Sequence, residues 1–230
     1  MRIGGIQKLT LLDYPGKVAC TVFLSGCNLR CPYCHNPGLV LPERMGAQEL
    51  SVSEVLDFLE RRRGKLDGVC ITGGEPTLHS DLPVFLRLLR AMGFSVKLDT
   101  NGTNPEMLDS LLREGLPDYV AMDIKNSPSR YAETCGGIDM LAQVKKSVKL
   151  LMSGAVDYEL RTTVCAPLHT PRDMEEIGRW LAGAKRYFLQ AFADSGELVS
   201  GGVQAYTQEE MVRLRQAVLP YISNTQLRGI

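Results

Sequence analysis

The sequence predicts an α/β fold with parallel strands, arranged as a partial (β/α)6 barrel. Short apolar runs alternate with helical patterns, and runs of this length are typical of strands buried on both faces. Six strand–helix units in 230 residues fall short of the eight units and about 250 residues of a closed barrel, so we expect an open one. The six predicted strands are 18–24, 68–71, 94–98, 119–124, 160–164 and 187–192.

Capping residues predict where the helices between these strands begin. Ser51 with Glu54, and Thr207 with Glu210, have the spacing of capping boxes. Three further helices are expected to have a proline in the first turn, where its missing N–H costs nothing; these prolines are Pro83, Pro105 and Pro171. Another helix is predicted over 141–151, where apolar residues recur at helical spacing. We expect one domain over 1–230, with a lead-in segment over 1–16, the barrel over 17–220 and a tail over 221–230.

Composition and charge narrow the class of protein. Lysine and arginine together number 26, as do aspartate and glutamate, so the net charge is zero and a nucleic-acid binder that relies on a basic surface is not expected. The apolar content of 44% argues against disorder. No apolar run approaches the roughly 20 residues that span a bilayer, and the N-terminus lacks a signal peptide's apolar core. We therefore expect a cytoplasmic protein that binds neither membrane nor nucleic acid.

Three of the seven cysteines lie close together, at Cys27, Cys31 and Cys34, directly after the first predicted strand. Three thiolates on one loop suit an iron–sulfur cluster, and a [4Fe–4S] cluster normally takes four. The missing fourth ligand would leave one iron open to a small chelating molecule. The alternative is a structural zinc site completed by His35. Cys20 and Cys70 lie in apolar runs and are expected to be buried. The sequence assigns no role to Cys135 or Cys165.

Polar or glycine motifs also fall at the carboxyl ends of the second to fifth predicted strands. The carboxyl ends of parallel strands form the face on which barrel enzymes build active sites. Alternation along a strand places Asp123 and Lys125 on one side. Arg161, within an apolar run, needs a partner, and either Asp123 or the carboxylate of a cofactor would serve. Gln190 on the sixth strand is a weaker candidate. The motifs are Gly73-Gly74-Glu75, Asp99-Thr100, Asp123-Ile124-Lys125, and Arg161 with Thr163.

The cysteine spacing, with Tyr33 before the last cysteine, resembles that of the radical S-adenosylmethionine (SAM) enzymes. The resemblance implies that the three cysteines hold a [4Fe–4S] cluster and that SAM chelates its fourth iron. Reductive cleavage of SAM would then give methionine and a 5′-deoxyadenosyl radical. The residues implied to contact SAM are Tyr33, Gly73, Gly74, Glu75, Asp99, Thr100, Asp123, Lys125 and Arg161, and the resemblance allows a monovalent cation beside Asp99, Thr100 and Asp123.

The N-terminal motif that ends in Asp13-Tyr14-Pro15-Gly16 resembles the opening of the activating enzymes of glycyl radical enzymes. In that group an aspartate before the first strand helps to hold the substrate peptide, which implies this role for Asp13; a β-turn is the alternative. The motifs together most resemble the activating proteins of anaerobic ribonucleoside-triphosphate reductase. The resemblance implies a glycyl radical enzyme as partner and a flavodoxin- or ferredoxin-type electron donor. Two alternatives remain, a small-molecule enzyme such as a 7-carboxy-7-deazaguanine synthase and a non-catalytic zinc module.

Overall fold

A computed structural model describes residues 1–44, 49–194 and 196–230 of the chain. Its strands follow chain order in one sheet. The strands are β1 (Ile3–Thr10), β2 (Ala19–Leu24), β3 (Gly68–Gly73), β4 (Ser95–Thr100), β5 (Tyr119–Asp123), β6 (Asp157–Val164), β7 (Tyr187–Ala191) and β8 (Thr225–Arg228). The helices are α1 (Pro37–Val40), α2 (Val52–Glu60), α3 (Leu82–Ala91), α4 (Pro105–Arg113), α5 (Tyr131–Thr134), α6 (Leu141–Met152), α7 (Pro171–Trp180) and α8 (Gln208–Val218), with 3-10 turns at Pro42–Arg44 and Pro76–Leu78.

The six predicted strands correspond to β2 through β7, and each is followed by a helix, so the predicted α/β class and partial (β/α)6 barrel are confirmed. The capping boxes at Ser51 and Thr207 are both formed. Two strands were not predicted, because β1 lies in the expected lead-in and β8 in the expected tail. β1 pairs antiparallel with β2, whereas β8 pairs parallel with β7.

The chain divides into two compact units. Unit 1 comprises Met1–Asn28, Asn36–Thr100 and Glu106–Val120, and unit 2 comprises Leu29–His35, Asn101–Pro105 and Ala121–Ile230. In unit 1, β2, β3 and β4 are parallel neighbours, and apolar faces of α2, α3 and α4 are buried. In unit 2, β6, β7 and β8 are parallel neighbours, and α6, α7 and α8 bury their own apolar faces.

Among the helices of the described ranges, none combines the length and the apolar character that crossing a bilayer requires.

Candidate active site

In unit 1 the glycine motif lies against the backbone that leads to Cys27. Gly74 N donates to Leu24 O at 2.8 Å, and Glu75 N donates to Gly26 O at 2.7 Å. A Cβ atom on Gly74 would lie 1.9 Å from Gly26 O, and one on Gly73, whose φ is +118°, would lie 2.3 Å from Leu24 O. Only glycine permits this approach, which places the motif beside the residue that precedes Cys27.

The carboxylate of Glu75 is buried and is bonded to protein groups. Its Oε1 accepts hydrogen bonds from Thr77 N at 3.1 Å, from Thr77 Oγ1 at 2.5 Å and from Thr100 Oγ1 at 2.7 Å. Glu75 therefore fixes the turn after β3 and joins it to the end of β4. These contacts give it a positioning role in unit 1.

Glu75→Ala should lower the free energy of unfolding by roughly 3 kcal/mol, because buried donors lose a charged acceptor. Glu75→Gln should cost less, since its amide oxygen still accepts. Urea denaturation measures both, with Glu60→Ala as the control. Glu60 lies in an exposed ion pair with Arg63, so that change should cost less than about 1 kcal/mol. Equal losses for Glu75→Ala and Glu60→Ala would contradict the positioning role.

Sequence reasoning missed Lys97, which is buried in β4 of unit 1. Its Nζ forms an ion pair with Asp99 Oδ1 and also donates to Cys70 Sγ at 3.8 Å. Thr72 Oγ1 donates to Asp99 Oδ2 at 3.3 Å. The signal was present, because Lys97 is a cation inside an apolar strand, and the same signal drew attention to Arg161.

The N-terminal motif forms a turn, and the Asp13 side chain packs onto the sheet of unit 1. Lys17 N donates to Tyr14 O at 3.2 Å, with Gly16 at φ +72°. Thr21 Oγ1 donates to Asp13 Oδ2 at 2.5 Å. The alternative of a turn is thus correct for the backbone, and a role for Asp13 in substrate binding stays a prediction.

In unit 2 the loop that carries Cys31 and Cys34 is held by backbone hydrogen bonds. Cys34 N donates to Cys31 O at 3.1 Å, and Arg30 N donates to Cys135 O at 3.2 Å. A hydrogen bond with the Cys135 thiol, followed by burial, raises the pKa of Cys31 well above its usual value. Since thiols bind metals as thiolates, binding of iron would release this proton. The His35 ring stacks on Phe192, with the ring centroids 5.2 Å apart.

Tyr33 lies on the same loop with its side chain directed into unit 2. Its ring is 5% exposed and meets His169 edge-on, at 6.1 Å between centroids. Among the described residues, its hydroxyl is the one buried side-chain polar atom without a hydrogen-bond partner. Burial also raises its pKa well above the usual value, so the group is a neutral hydroxyl at ordinary pH. Buried donors without a partner are uncommon in folded proteins, and a contact between this hydroxyl and SAM stays a prediction.

Three charged side chains predicted from the sequence meet in unit 2. Arg161 Nε donates to Asp123 Oδ1 at 2.5 Å, and Lys125 Nζ donates to Asp123 Oδ2 at 3.0 Å. Burial alone would raise the pKa of Asp123, but the charges of Arg161 and Lys125 outweigh it, and that pKa lies well below its usual range. Asp123 is therefore one of the two partners that the sequence allows for Arg161.

The ion pair between Arg228 and Glu159 in unit 2 was not predicted from the sequence. Arg228 forms two hydrogen bonds with the buried Glu159, at 2.6 and 2.7 Å, and lies over the ring of Phe188. It was missed because β8 itself was missed. Gln190 pairs in register with Thr163 on β6 and with Arg228 on β8.

Among the described residues, no three His, Cys, Asp or Glu side chains are grouped to hold a single metal ion. An iron–sulfur cluster places each thiolate on a separate iron atom, so its ligands need not converge on one point. None of the seven cysteines, all of which are described, forms a disulfide.

The chain is similar to known proteins over most of its length. Residues 21–181 match the radical SAM superfamily. A Methanocaldococcus jannaschii protein named "Putative glycyl-radical enzyme activating enzyme MJ1227" is 33% identical over 99% of this chain and 96% of its own length. A pyruvate formate-lyase-activating enzyme from Clostridium pasteurianum is 35% identical over 54% of this chain and 52% of its own length.

A solved structure shares the fold. Streptococcus suis SuiB, bound to its precursor peptide SuiA, superposes with a TM-score of 0.70 at 16% identity, over 91% of this chain and 48% of that one. The family match covers well over half of the chain and includes all three clustered cysteines. The chain therefore belongs to the radical SAM superfamily and is an enzyme that uses a [4Fe–4S] cluster and S-adenosylmethionine.

Proposed function

We propose that this enzyme generates a glycyl radical on a partner enzyme, with anaerobic ribonucleoside-triphosphate reductase as the first candidate. The observation that carries the proposal is the similarity to the M. jannaschii protein over nearly the whole of both chains. The N-terminal motif that contains Asp13 adds support, and Asp13 would help to hold the partner's glycine-containing loop. A flavodoxin or ferredoxin would supply the electron.

The residues present fit the two cofactors. Cys27, Cys31 and Cys34 provide three sulfur ligands, which is one fewer than a [4Fe–4S] cluster normally takes. In unit 1, Gly73 and Gly74 pack directly against the backbone of Leu24 and Gly26, which places the glycine motif beside the segment that leads to Cys27. In unit 2, the buried Tyr33 hydroxyl is a donor without a protein partner among the described residues. A buried donor without a protein partner is a feature of a site that receives a polar ligand.

The protein's own part in the reaction is to bind and to orient. The three cysteines would hold the cluster, and the contacts to SAM would come from Tyr33, Gly73, Gly74, Glu75, Asp99, Thr100, Asp123, Lys125 and Arg161. When held by Cys27, Cys31 and Cys34, a reduced cluster would supply the electron for cleavage of SAM, and the cleaved SAM would supply the group that accepts a hydrogen atom from glycine. No side-chain base is required. Side chains instead supply charge, position and shelter from water.

Anaerobic reconstitution followed by two assays tests the proposal. With a reductant, SAM and a candidate glycyl radical enzyme, we expect methionine and 5′-deoxyadenosine to form and the partner to give a glycyl radical signal by electron spin resonance. The control is the same partner with its radical-bearing glycine replaced by alanine, which should give no signal. Cleavage of SAM without a glycyl radical on any candidate, or turnover of a pterin substrate, would instead support the small-molecule alternative.

A further inference from the structure

Lys97 is a charged side chain inside the core of unit 1. It is 2% exposed and lies between Val96 and Leu98 in β4. A buried ammonium group is costly unless it is paired, and removing one partner of a buried pair leaves an uncompensated charge. Lys97 therefore requires the negative charge that lies two residues further along the strand.

The sheet register explains why Lys97 meets Asp99. Cys70 on β3 is the direct neighbour of Lys97, and residues two apart on a strand share a face. Cys70, Thr72, Lys97 and Asp99 therefore form one polar column. In it, Lys97 Nζ pairs with Asp99 Oδ1, Thr72 donates to Asp99 Oδ2 at 3.3 Å, and the Cys70 thiol lies 3.8 Å from both Lys97 Nζ and Asp99 Oδ1.

Asp123 in unit 2 shows the same arrangement independently. Its two carboxylate oxygens are bonded to Arg161 and to Lys125. The two aspartates beside which a monovalent cation could bind, Asp99 and Asp123, are thus each paired with cations of the chain itself. An added cation at either carboxylate would be repelled by a positive charge that is already bonded there.

We propose that Lys97 is a positioning residue that serves as a built-in cation for Asp99, so that the enzyme binds SAM without potassium or sodium. This inference rests on the proposed function, which places Asp99 among the SAM contacts. Lys97 neutralises Asp99 and fixes its carboxylate from a position two residues earlier on the same strand. The Lys97 ammonium does what a bound monovalent cation would do, and it cannot dissociate.

The test compares potassium chloride with choline chloride at equal ionic strength, since choline is too large to replace a small cation. The variants are Lys97→Met, which removes the charge and keeps an unbranched side chain, and Lys65→Met, at an exposed lysine. The first measurement is the midpoint of thermal unfolding without SAM. We expect no effect of potassium on the natural protein or on Lys65→Met. Lys97→Met should unfold at a lower temperature in choline and recover partly in potassium.

The second measurement is the SAM dissociation constant of the reconstituted protein by equilibrium dialysis. The natural protein should bind equally in both salts. Lys97→Met should bind at least about tenfold more weakly in choline, a loss typical of removing an outer partner from a ligand group, and potassium should restore most of the affinity. Restoration by a free cation is a result that a merely structural role does not produce.

Dependence of the natural protein on potassium, in either measurement, overturns the proposal even if Lys97→Met fails to fold. So does a Lys97→Met protein that potassium does not rescue, or that binds SAM as well as the natural protein in choline. If no form binds SAM in either salt, the proposed function fails, while the unfolding midpoints still decide the role of Lys97. If SAM binds without potassium but no glycyl radical forms, the Lys97 proposal stands and the partner assignment fails.

Discussion

Cys31→Ala is expected to abolish both assembly of the cluster and reductive cleavage of SAM. One of the three proposed sulfur ligands is lost, and the backbone that holds the loop should stay in place, because Arg30 and Cys34 make its hydrogen bonds through main-chain atoms. The loss should exceed the roughly 10–100-fold effect of removing an outer partner of a metal ligand. After anaerobic reconstitution, iron and acid-labile sulfide should fall to background, and no 5′-deoxyadenosine should be detected.

Cys20→Ala is the matched control, since it also removes one buried thiol. Cys20 lies within β2, and burial raises its pKa to about 12, so it is a protonated and inert side chain. This variant should bind iron and cleave SAM as the natural protein does. Full iron content and SAM cleavage in Cys31→Ala would refute its assignment as a ligand, and loss of iron in Cys20→Ala would show that the assay reports folding instead.

The strands that the sequence predicts are those buried on both faces. β2 through β7 are short apolar runs because helices cover one face and the core lies against the other. β1 was not predicted because only Ile3 and Thr10, at its two ends, are buried, and the strand therefore has no periodic apolar pattern. β8 is four residues long, and a run of that length carries too little pattern to be separated from a loop.

Some contacts of the candidate residues could be predicted from the sequence, and others could not. Alternation predicted that Asp123 and Lys125 share one side of a strand, and the cost of a cation within an apolar run predicted that Arg161 needs a partner. Glu75 was predicted as a cofactor contact, which stays a prediction, and its hydrogen bonds with Thr77 and Thr100 were not predicted. The direction in which a carboxylate points depends on neighbouring strands, and the sequence does not encode that in any local pattern.

Asp123→Asn is expected to lower the free energy of unfolding by about 2–3 kcal/mol. The change removes the negative charge that Asp123 supplies to Arg161 and Lys125. The loss from breaking a fully buried pair is about 3–5 kcal/mol, and Asp123 is half-buried, so the lower figure applies. Asp109→Asn is the control, because Asp109 pairs with the exposed Arg113 within one helix, and its loss should be less than about 0.5 kcal/mol. Urea denaturation at neutral pH measures both variants.

The pH dependence of this difference tests its electrostatic origin. Burial opposes the charge of Asp123, but Arg161 and Lys125 more than offset it and hold the folded-state pKa below the usual value of 3.8. Such a carboxyl group stabilises the fold above its unfolded-state pKa, and that stability is lost as pH falls toward the folded-state pKa. The gap between the natural protein and Asp123→Asn should therefore stay constant from neutral pH down to about pH 5 and shrink below about pH 4. A gap that widens with acid, or an Asp123→Asn protein as stable as Asp109→Asn, would show that this carboxylate is not held by the two cations.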